Sequence, residues 1–230
     1  MHILGIDTTT KTASAAVVRD NKTLAEITSN GQISHSENLM PMIDYTLKCA
    51  GIKLGDVDLF AVSCGPGSFT GIRIGVATIK GLAFGSVADN CAGVSSLLSL
   101  AYNFNSAENA GDILILPVID ARRKQFYNAV FFGVEYIKRD RIITIGELEC
   151  ELNREFSGRR VIFAGDGAEA CYSEIDFAGK VQVPEMLKTP SAASVCAAAY
   201  AQYIGGGAVH ARTLAPSYII KTQAEREYGG

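Results

Sequence analysis

The 230-residue sequence has no tryptophan and only three histidines, six prolines and six cysteines. His2, His35 and His210 stand far apart, none three or four residues from another, so the paired histidines of a helical zinc or iron site are excluded. The cysteines, Cys49, Cys64, Cys91, Cys150, Cys171 and Cys196, form no C-x-x-C and no regular spacing; they read as small core residues of a reduced chain. Charge of either sign is scarce in excess: 21 Lys and Arg against 24 Asp and Glu leave a net −3, which gives no whole-molecule attraction to nucleic acid. No charge-free apolar run approaches the roughly 18 residues of a membrane span, and Met1-His-Ile-Leu-Gly-Ile leads straight into Asp7 without a leader pattern, so a cytoplasmic location without membrane contact is expected. Neither G-x-x-x-x-G-K-[ST] nor G-x-G-x-x-G occurs, so there is no independent nucleotide signature. Ser68 misses the nucleophile-elbow spacing by one residue, and Cys64 ends an apolar strand that should raise its thiol pKa; both read as structural.

What is present is organised around Gly65-Pro-Gly-Ser-Phe-Thr-Gly-Ile-Arg-Ile-Gly-Val-Ala-Thr-Ile-Lys-Gly-Leu-Ala-Phe-Gly85. An alternating strand, Val57–Cys64, precedes it; the Gly-Pro-Gly turn then opens a helix capped by Ser68 or Thr70 and stopped at Gly85. Arg73 and Lys80 are the only charges between Thr70 and Phe84, which is the pattern of a buried helix. Gly71, Gly75 and Gly81 lie inside it, each costing roughly 1 kcal/mol relative to Ala. Two arrangements would offset that cost: another backbone packed closely along the edge Gly71, Gly75, Thr78, or ligand phosphates held at the Gly-rich turn.

In chain order the pattern gives strands His2–Asp7, Thr12–Val18 and Thr23–Ser29, with a turn at Asp20-Asn-Lys. A helix follows with a Ser34/Glu37 capping box and Leu39, Met40, Ile43 and Leu47 at helical spacing. The central strand and helix come next, then strand Cys91–Val94 and a helix capped by Ser95 or Ser96, an order βββαβαβα. After the polar stretch 103–112 a second half opens at Ile113–Asp120. Pro117-Val-Ile-Asp120 aligns with Leu4-Gly-Ile-Asp7, Val130 with Val17, and Gly165-Asp-Gly167 with Gly65-Pro-Gly67, the mark of an internal duplication. Later pieces are strands Arg139–Thr144 and Val181–Pro184, helices over Glu147–Phe156, Ala168–Tyr172 and Ser191–Ile204, and a last extended piece at Ala215–Lys221. The expected fold is α/β: two ribonuclease H-like lobes, 1–104 and 105–230, in an actin-like arrangement, the last 15 or so residues packing back on the first lobe.

In such a fold phosphates sit between the lobes, which nominates Asp7, Thr8, Thr9, Gly65 and Gly67 as a phosphate site, functional or vestigial. A two-metal nuclease needs several converging carboxylates, and the central strand offers Ser63-Cys64 instead. His35 reads as a helix-entry residue. The basic clusters, Arg122-Arg-Lys124, Arg139/Arg141 and Arg159-Arg160, read mostly as solvated strand ends and turns, though Arg122-Arg123, right after Asp120, could reach a phosphate or a partner's carboxylate.

Taken together, Leu4-Gly-Ile-Asp-Thr-Thr-Thr, His35-Ser-Glu-Asn-Leu-Met-Pro-Met-Ile, the Gly65 to Gly75 motif with Lys80-Gly-Leu-Ala, Asp120-Ala-Arg-Arg-Lys-Gln-Phe-Tyr, Gly165-Asp-Gly-Ala and Pro216-Ser-Tyr-Ile-Ile-Lys-Thr-Gln-Ala-Glu-Arg resemble the bacterial TsaB (YeaZ) family over the whole chain. The resemblance implies the actin-like fold and a part in making threonylcarbamoyladenosine on tRNA. It implies a non-catalytic subunit that pairs with the catalytic paralogue TsaD, self-associates, docks the nucleotide-binding TsaE and meets tRNA only through the complex. TsaD binds a metal through a His-x-x-x-His helix; here Ser96 and Leu100 stand at those positions, so no metal, no catalytic residue and no required cofactor are expected, with ATP or ADP binding at most weak. The helices over 37–49 and 70–85 are then the partner surface, through Leu39, Met40, Ile43, Leu47, Gly71, Ile72, Gly75, Val76, Thr78, Ile79 and Leu82. The rival reading is an actin-like ATPase or sugar-kinase-like enzyme using Asp7, Thr8 and Thr9; a metallopeptidase is disfavoured by the same missing ligands.

Overall fold

The computed structural model describes residues 1–31, 34–105 and 113–219. Apolar alternation in β1 (His2–Asp7), β2 (Ala13–Arg19) and β3 (Lys22–Ser29) builds an antiparallel meander, with Asp20 and Asn21 at positive φ making the tight β2–β3 turn. Helix α1 (His35–Ala50) leads to β4 (Leu59–Gly65), α2 (Phe69–Phe84), β5 (Asn90–Ser95) and α3 (Ser96–Tyr102). The second half repeats the plan: β6 (Ile113–Asp120), β7 (Gln125–Phe132), β8 (Glu135–Thr144), α4 (Ile145–Glu155), β9 (Arg160–Ala164), α5 (Ala168–Glu174), β10 (Lys180–Val181), α6 (Glu185–Lys188), α7 (Ala192–Ile204) and β11 (Val209–His210).

The duplication is visible in the sheets. One runs β11-β5-β4-β1-β2-β3, the other β10-β9-β6-β7-β8, and in both the first strand of the lobe lies between an antiparallel and a parallel neighbour. Side chains alternate across each sheet. Leu4, Ile6, Phe60 and Val62 face the core under α1 and α2, while Ile3, Leu59 and Ala61 face the opposite layer.

That opposite layer corrects the expected boundary at 104/105. Helix α7, placed with the second lobe by its position in the chain, covers the first sheet: Val195, Cys196, Ala198 and Ala199 pack on Ile3, Val18, Leu59, Ala61, Ala92 and Val94. Its small side chains let it lie so close that a Cβ on Gly5 would come within 2.5 Å of the Cys196 sulfur. Reciprocally, Leu97, Leu100 and Ala101 of α3 pack on Ile115, Ile119, Tyr127 and Phe131 of the second sheet. The two lobes therefore exchange helices, and the return to the first sheet begins at Ala192, well before the last fifteen residues. Residues 211–219 continue it, with Ala211 and Leu214 buried in the first core. The expected extended piece at 215–221 lies partly outside the described residues.

Local signals hold with two differences. Ser68 caps α2 by accepting the Gly71 N–H, and Ser95 and Ser191 cap α3 and α7. The capping box expected at Ser34 does not form, because the Ser34 hydroxyl is engaged with Ser36; the box is instead at Thr144/Glu147, at the start of α4. The strand expected over 181–184 is a two-residue bridge before α6.

Candidate functional site

The β1–β2 turn, Asp7-Thr-Thr-Thr10, lies on the first turns of α2. Thr8 Oγ1 donates to the Gly71 carbonyl at 2.8 Å, and the Ser68 N–H donates to the Thr9 carbonyl at 2.7 Å. There is no room for side chains at this contact. A Cβ on Gly71 would overlap the Thr8 carbonyl oxygen, one on Gly75 would come within 2.5 Å of Thr8 Oγ1, and one on Gly67 would strike Thr9. The backbone that approaches Gly71 and Gly75 thus belongs to the chain itself.

Asp7 is fully buried beneath this turn. Its Oδ1 accepts from the Thr9 N–H at 2.9 Å and the Thr9 hydroxyl at 2.8 Å, whereas Oδ2 has no hydrogen-bond partner, the nearby Ser63 hydroxyl falling short of hydrogen-bonding geometry. Burial raises its pKa above the ordinary carboxylate value; Ser63, Thr9 and the nearby His35 oppose the rise. His35, the first residue of α1, places Nε2 2.8 Å from the Thr10 carbonyl. A carbonyl only accepts, so that nitrogen carries the proton, and the ring acts as a strut between helix and turn.

Between the lobes is a cleft of about 540 Å³, lined on one side by Thr9, Thr10, Lys11, His35 and Gly67–Thr70 and on the other by Ile119–Arg122, Tyr127 and Asp166. Of the five phosphate candidates only Thr9 and Gly67 line it. Asp7 and Thr8 are buried behind the turn, and Gly65 is covered by the chain's own tail, where the Ser217 N–H donates to the Cys64 carbonyl at 2.7 Å and a Cβ on Gly65 would overlap the Ser217 carbonyl. The second-lobe rim was foreshadowed only by the basic cluster. Asp166 Oδ1 accepts the Asp120 N–H at 2.9 Å, Asp120 Oδ1 accepts the Arg122 N–H at 2.8 Å, and Arg122, Arg123 and Lys124 then follow with φ of 69°, 55° and 61°. Three consecutive non-glycine residues in the left-handed region cost roughly 1 kcal/mol each. The other basic clusters are differently placed: Arg141 forks onto Glu151 and Asn128, Arg139 lies over the Tyr136 ring, and Arg159-Arg160 sit at the far end of the second sheet, at the start of β9.

The partner surface expected on α1 and α2 is half interior. Leu39, Ile43, Gly71, Ile72, Gly75, Val76 and Ile79 are buried in the first core, because the glycine edge faces the β1–β2 turn. Met40 is exposed, and Leu47, Thr78 and Leu82 are partly so. The open face is a different stripe of α2, Arg73, Ala77, Gly81 and Phe84; on α1, Met40 and Tyr45 are exposed. Gly81, which the sequence grouped with the other two glycines, has nothing within 4 Å of where its Cβ would be.

Residues 22–228 match the family described as "TsaD: tRNA N6-adenosine threonylcarbamoyltransferase". The chain belongs to that family. Within it the chain is similar to the proteins named TsaB. It is 28% identical to the tRNA threonylcarbamoyladenosine biosynthesis protein TsaB of Escherichia coli K12, across 100% of this chain and 99% of that one. The TsaB proteins of Haemophilus influenzae and Bacillus subtilis are 35% and 37% identical over 55% and 57% of this chain, and the match spans about half of their own lengths, 52% and 55%. In fold the chain is similar to YeaZ from Pseudomonas aeruginosa (TM-score 0.77, 24% identity, 94% of this chain and 99% of that one) and to a ROK hexokinase from Thermus thermophilus (TM-score 0.52, 10% identity, 88% and 100%), which places it in the actin-like kinase architecture. Among the described residues no helix is long and apolar enough to cross a membrane.

Cys64 and Ser68 are structural, as their sequence context indicates. Burial pushes the Cys64 thiol up to about 11, the wrong direction for a nucleophile, and Ser68 is spent on the α2 cap.

Proposed function

We propose that this chain serves tRNA threonylcarbamoyladenosine synthesis as a non-catalytic subunit that binds and activates TsaD, with TsaE docking on the assembly and with self-association through the same surface. The family carries an enzyme's name, so the non-catalytic reading needs its own support. At the two positions where the resemblance sets TsaD's metal ligands, Ser96 is buried and its hydroxyl donates to the Pro66 carbonyl, and Leu100 is buried in the core against the second sheet. At the turn where an actin-like ATPase would hold phosphates, Asp7 and Thr8 are shut away and Gly65 is covered. The reading needs no bound cofactor, and of the five phosphate candidates only Thr9 and Gly67 line the cleft, in keeping with at most weak nucleotide binding.

The observation that carries the partner reading is Gly81. A glycine in the last turn of a helix, with open space at its Cβ position, gains no close packing inside its own chain, yet costs up to roughly 1 kcal/mol relative to Ala. It lies in an exposed stripe of α2 with Ala77 and Phe84 (55% exposed), a combination that suits the close approach of a second helix. The Gly71–Gly75 edge cannot serve that purpose.

Replacing Gly81 with Arg tests this cleanly, because the new Cβ enters open space on an exposed helix face and the substitution raises helix propensity. Gel filtration with light scattering, of the chain alone and mixed with TsaD of its own organism, should show the Gly81→Arg protein folded and monomeric, failing to bind TsaD and failing to support threonylcarbamoylation of tRNA. A Gly81→Arg protein that assembles with TsaD as the unaltered chain does would sink the proposal.

A further inference from the structure

We infer that the turn Arg122-Arg123-Lys124 is a contact for the sugar–phosphate backbone of RNA, so that this subunit touches the tRNA itself. The inference rests on the tRNA-modification reading above and adds a surface that neither the family comparison nor the partner helices account for.

Three observations converge. First, the three cations are consecutive and exposed, held in left-handed backbone between Asp120 and β7, and no carboxylate among the described residues forms an ion pair with any of them. Arg141, Lys138 and Arg154, by contrast, are each paired with a glutamate. Second, the turn is pinned from below: the Asp120 carboxylate holds the Arg122 N–H and the Asp166 carboxylate holds the Asp120 N–H, so the fold presents the cations in fixed order instead of letting a loop wander. Third, the turn reaches the interlobe cleft through Arg122, and Lys11, Ser68 and Thr70 line the cleft from the first lobe. Two cations, Lys11 and Arg122, thus line a mouth that also holds Asp120 and Asp166, and Arg123 and Lys124 extend the positive charge outward from its rim, on a chain whose overall charge is −3. That field is local, as a contact for one stretch of polyanion requires.

A mononucleotide in the cleft fits less well. Only Arg122 of the three lines the cavity; Arg123 and Lys124 lie beyond it on the outer surface, where successive phosphates of a strand crossing the rim would meet them and a single bound nucleotide would not. Arginine forks and a lysine point charge both take phosphate oxygens without reading sequence, which suits positioning of an RNA whose base-specific chemistry occurs on another subunit.

The test is binding of an unmodified tRNA transcript to the isolated full chain, by fluorescence anisotropy over a salt series. The salt dependence should have a log–log slope of about −2 to −3, as expected for three to four phosphates neutralised. Replacing all three residues by Asn (Arg122→Asn, Arg123→Asn, Lys124→Asn) removes the charge while retaining a residue that tolerates the left-handed region. It should weaken binding by about tenfold or more and flatten the slope to about −1 or less, with an unchanged circular dichroism spectrum. Arg159→Gln/Arg160→Gln, at the far end of the sheet, should leave both unchanged. The inference is overturned if the unaltered chain shows no binding at about 100 μM. Equal loss in the Arg159/Arg160 variant, or displacement of the tRNA by stoichiometric ATP, would overturn it too. So would a triple variant that keeps tRNA binding but loses TsaD, which would assign the turn to an acidic protein surface. None of these outcomes bears on the Gly81 face, so failure here is distinguishable from failure of the partner reading.

Discussion

At the scale of single residues the sharpest tension is Asp7. A carboxylate with no exposed surface, one oxygen doubly bonded to Thr9 and the other unpartnered, is less stable ionised than it would be in water. Its folded pKa is raised, so between the ordinary carboxylate value and that raised value the folded state binds more protons than the unfolded one, and stability falls as pH rises through the window. Below the window both states are protonated and the term vanishes; above it the full penalty remains. Asp7→Asn keeps an oxygen for the two Thr9 donors and replaces the orphaned oxygen with an amide facing Ser63. We expect the variant to be more stable at pH 7 by about 1–3 kcal/mol, with this pH dependence gone, in urea unfolding followed from pH 4 to 8. A loss of stability at pH 7 would mean that the charge is used. That an acid ends β1 was readable from Leu4-Gly-Ile-Asp7; that it is sealed was not, because the lid is assembled from Gly71, Gly75 and His35, which are 28 to 68 residues away in sequence.

At the scale of elements, the sequence specified α2 well: its start at Ser68, its stop at Gly85 and its apolar wheel all correspond to the structure. What it left ambiguous was which neighbour each glycine serves, since a missing side chain says that something comes close without saying from which side. The structure divides them. Gly71 and Gly75 meet Thr8, and Gly81 meets nothing, so substitution by Ala should have opposite signs along one helix. Gly81→Ala should stabilise by about 0.5–1 kcal/mol through helix propensity. Gly71→Ala gains the same propensity but drives a Cβ into a backbone carbonyl that no rotamer change can move, for a net loss of about 2 kcal/mol. Thermal unfolding resolves both, at about 2–4 °C per kcal/mol for a chain of this size. Thr8→Ala should largely rescue Gly75→Ala, whose Cβ meets the Thr8 hydroxyl at 2.5 Å and otherwise only the Val62 methyl at 3.3 Å and the more distant Ile6 methyl, and should not rescue Gly71→Ala. Equal effects at Gly71 and Gly81 would refute the division.

At the scale of the whole molecule, the repeated order of strands was legible because Asp7 and Asp120, and the two glycine pairs, mark the same points of two copies. The exchange of α3 and α7 between the sheets was not. An Ala-rich helix such as Ala192–Ile204 is small and apolar on most faces, so its pattern predicts burial without naming the sheet that buries it. The exchange means that the first lobe is incomplete until the chain has passed through the second. It is reinforced by the Glu26 carboxylate, which accepts the Ser191 hydroxyl at 2.8 Å, by Asn103, whose amide donates to the Leu187 and Thr189 carbonyls, and by Ser95, which donates to Asp140 at 2.5 Å. A fragment of residues 1–105 would leave Ile3, Val18, Leu59, Ala61, Ala92 and Val94 facing water on the uncovered side of the sheet. We therefore expect this fragment to bind ANS and to lack near-ultraviolet dichroism, whereas the same fragment joined through a Gly/Ser linker to residues 190–219 should recover a defined near-ultraviolet spectrum. The intact chain should unfold in one cooperative transition, coincident by far- and near-ultraviolet dichroism, because each sheet is covered by a helix that the chain threads from the other half. A 1–105 fragment that unfolds cooperatively on its own would show that the first sheet does not depend on α7, and two separate transitions in the intact chain would show that the lobes are independent in spite of the exchange.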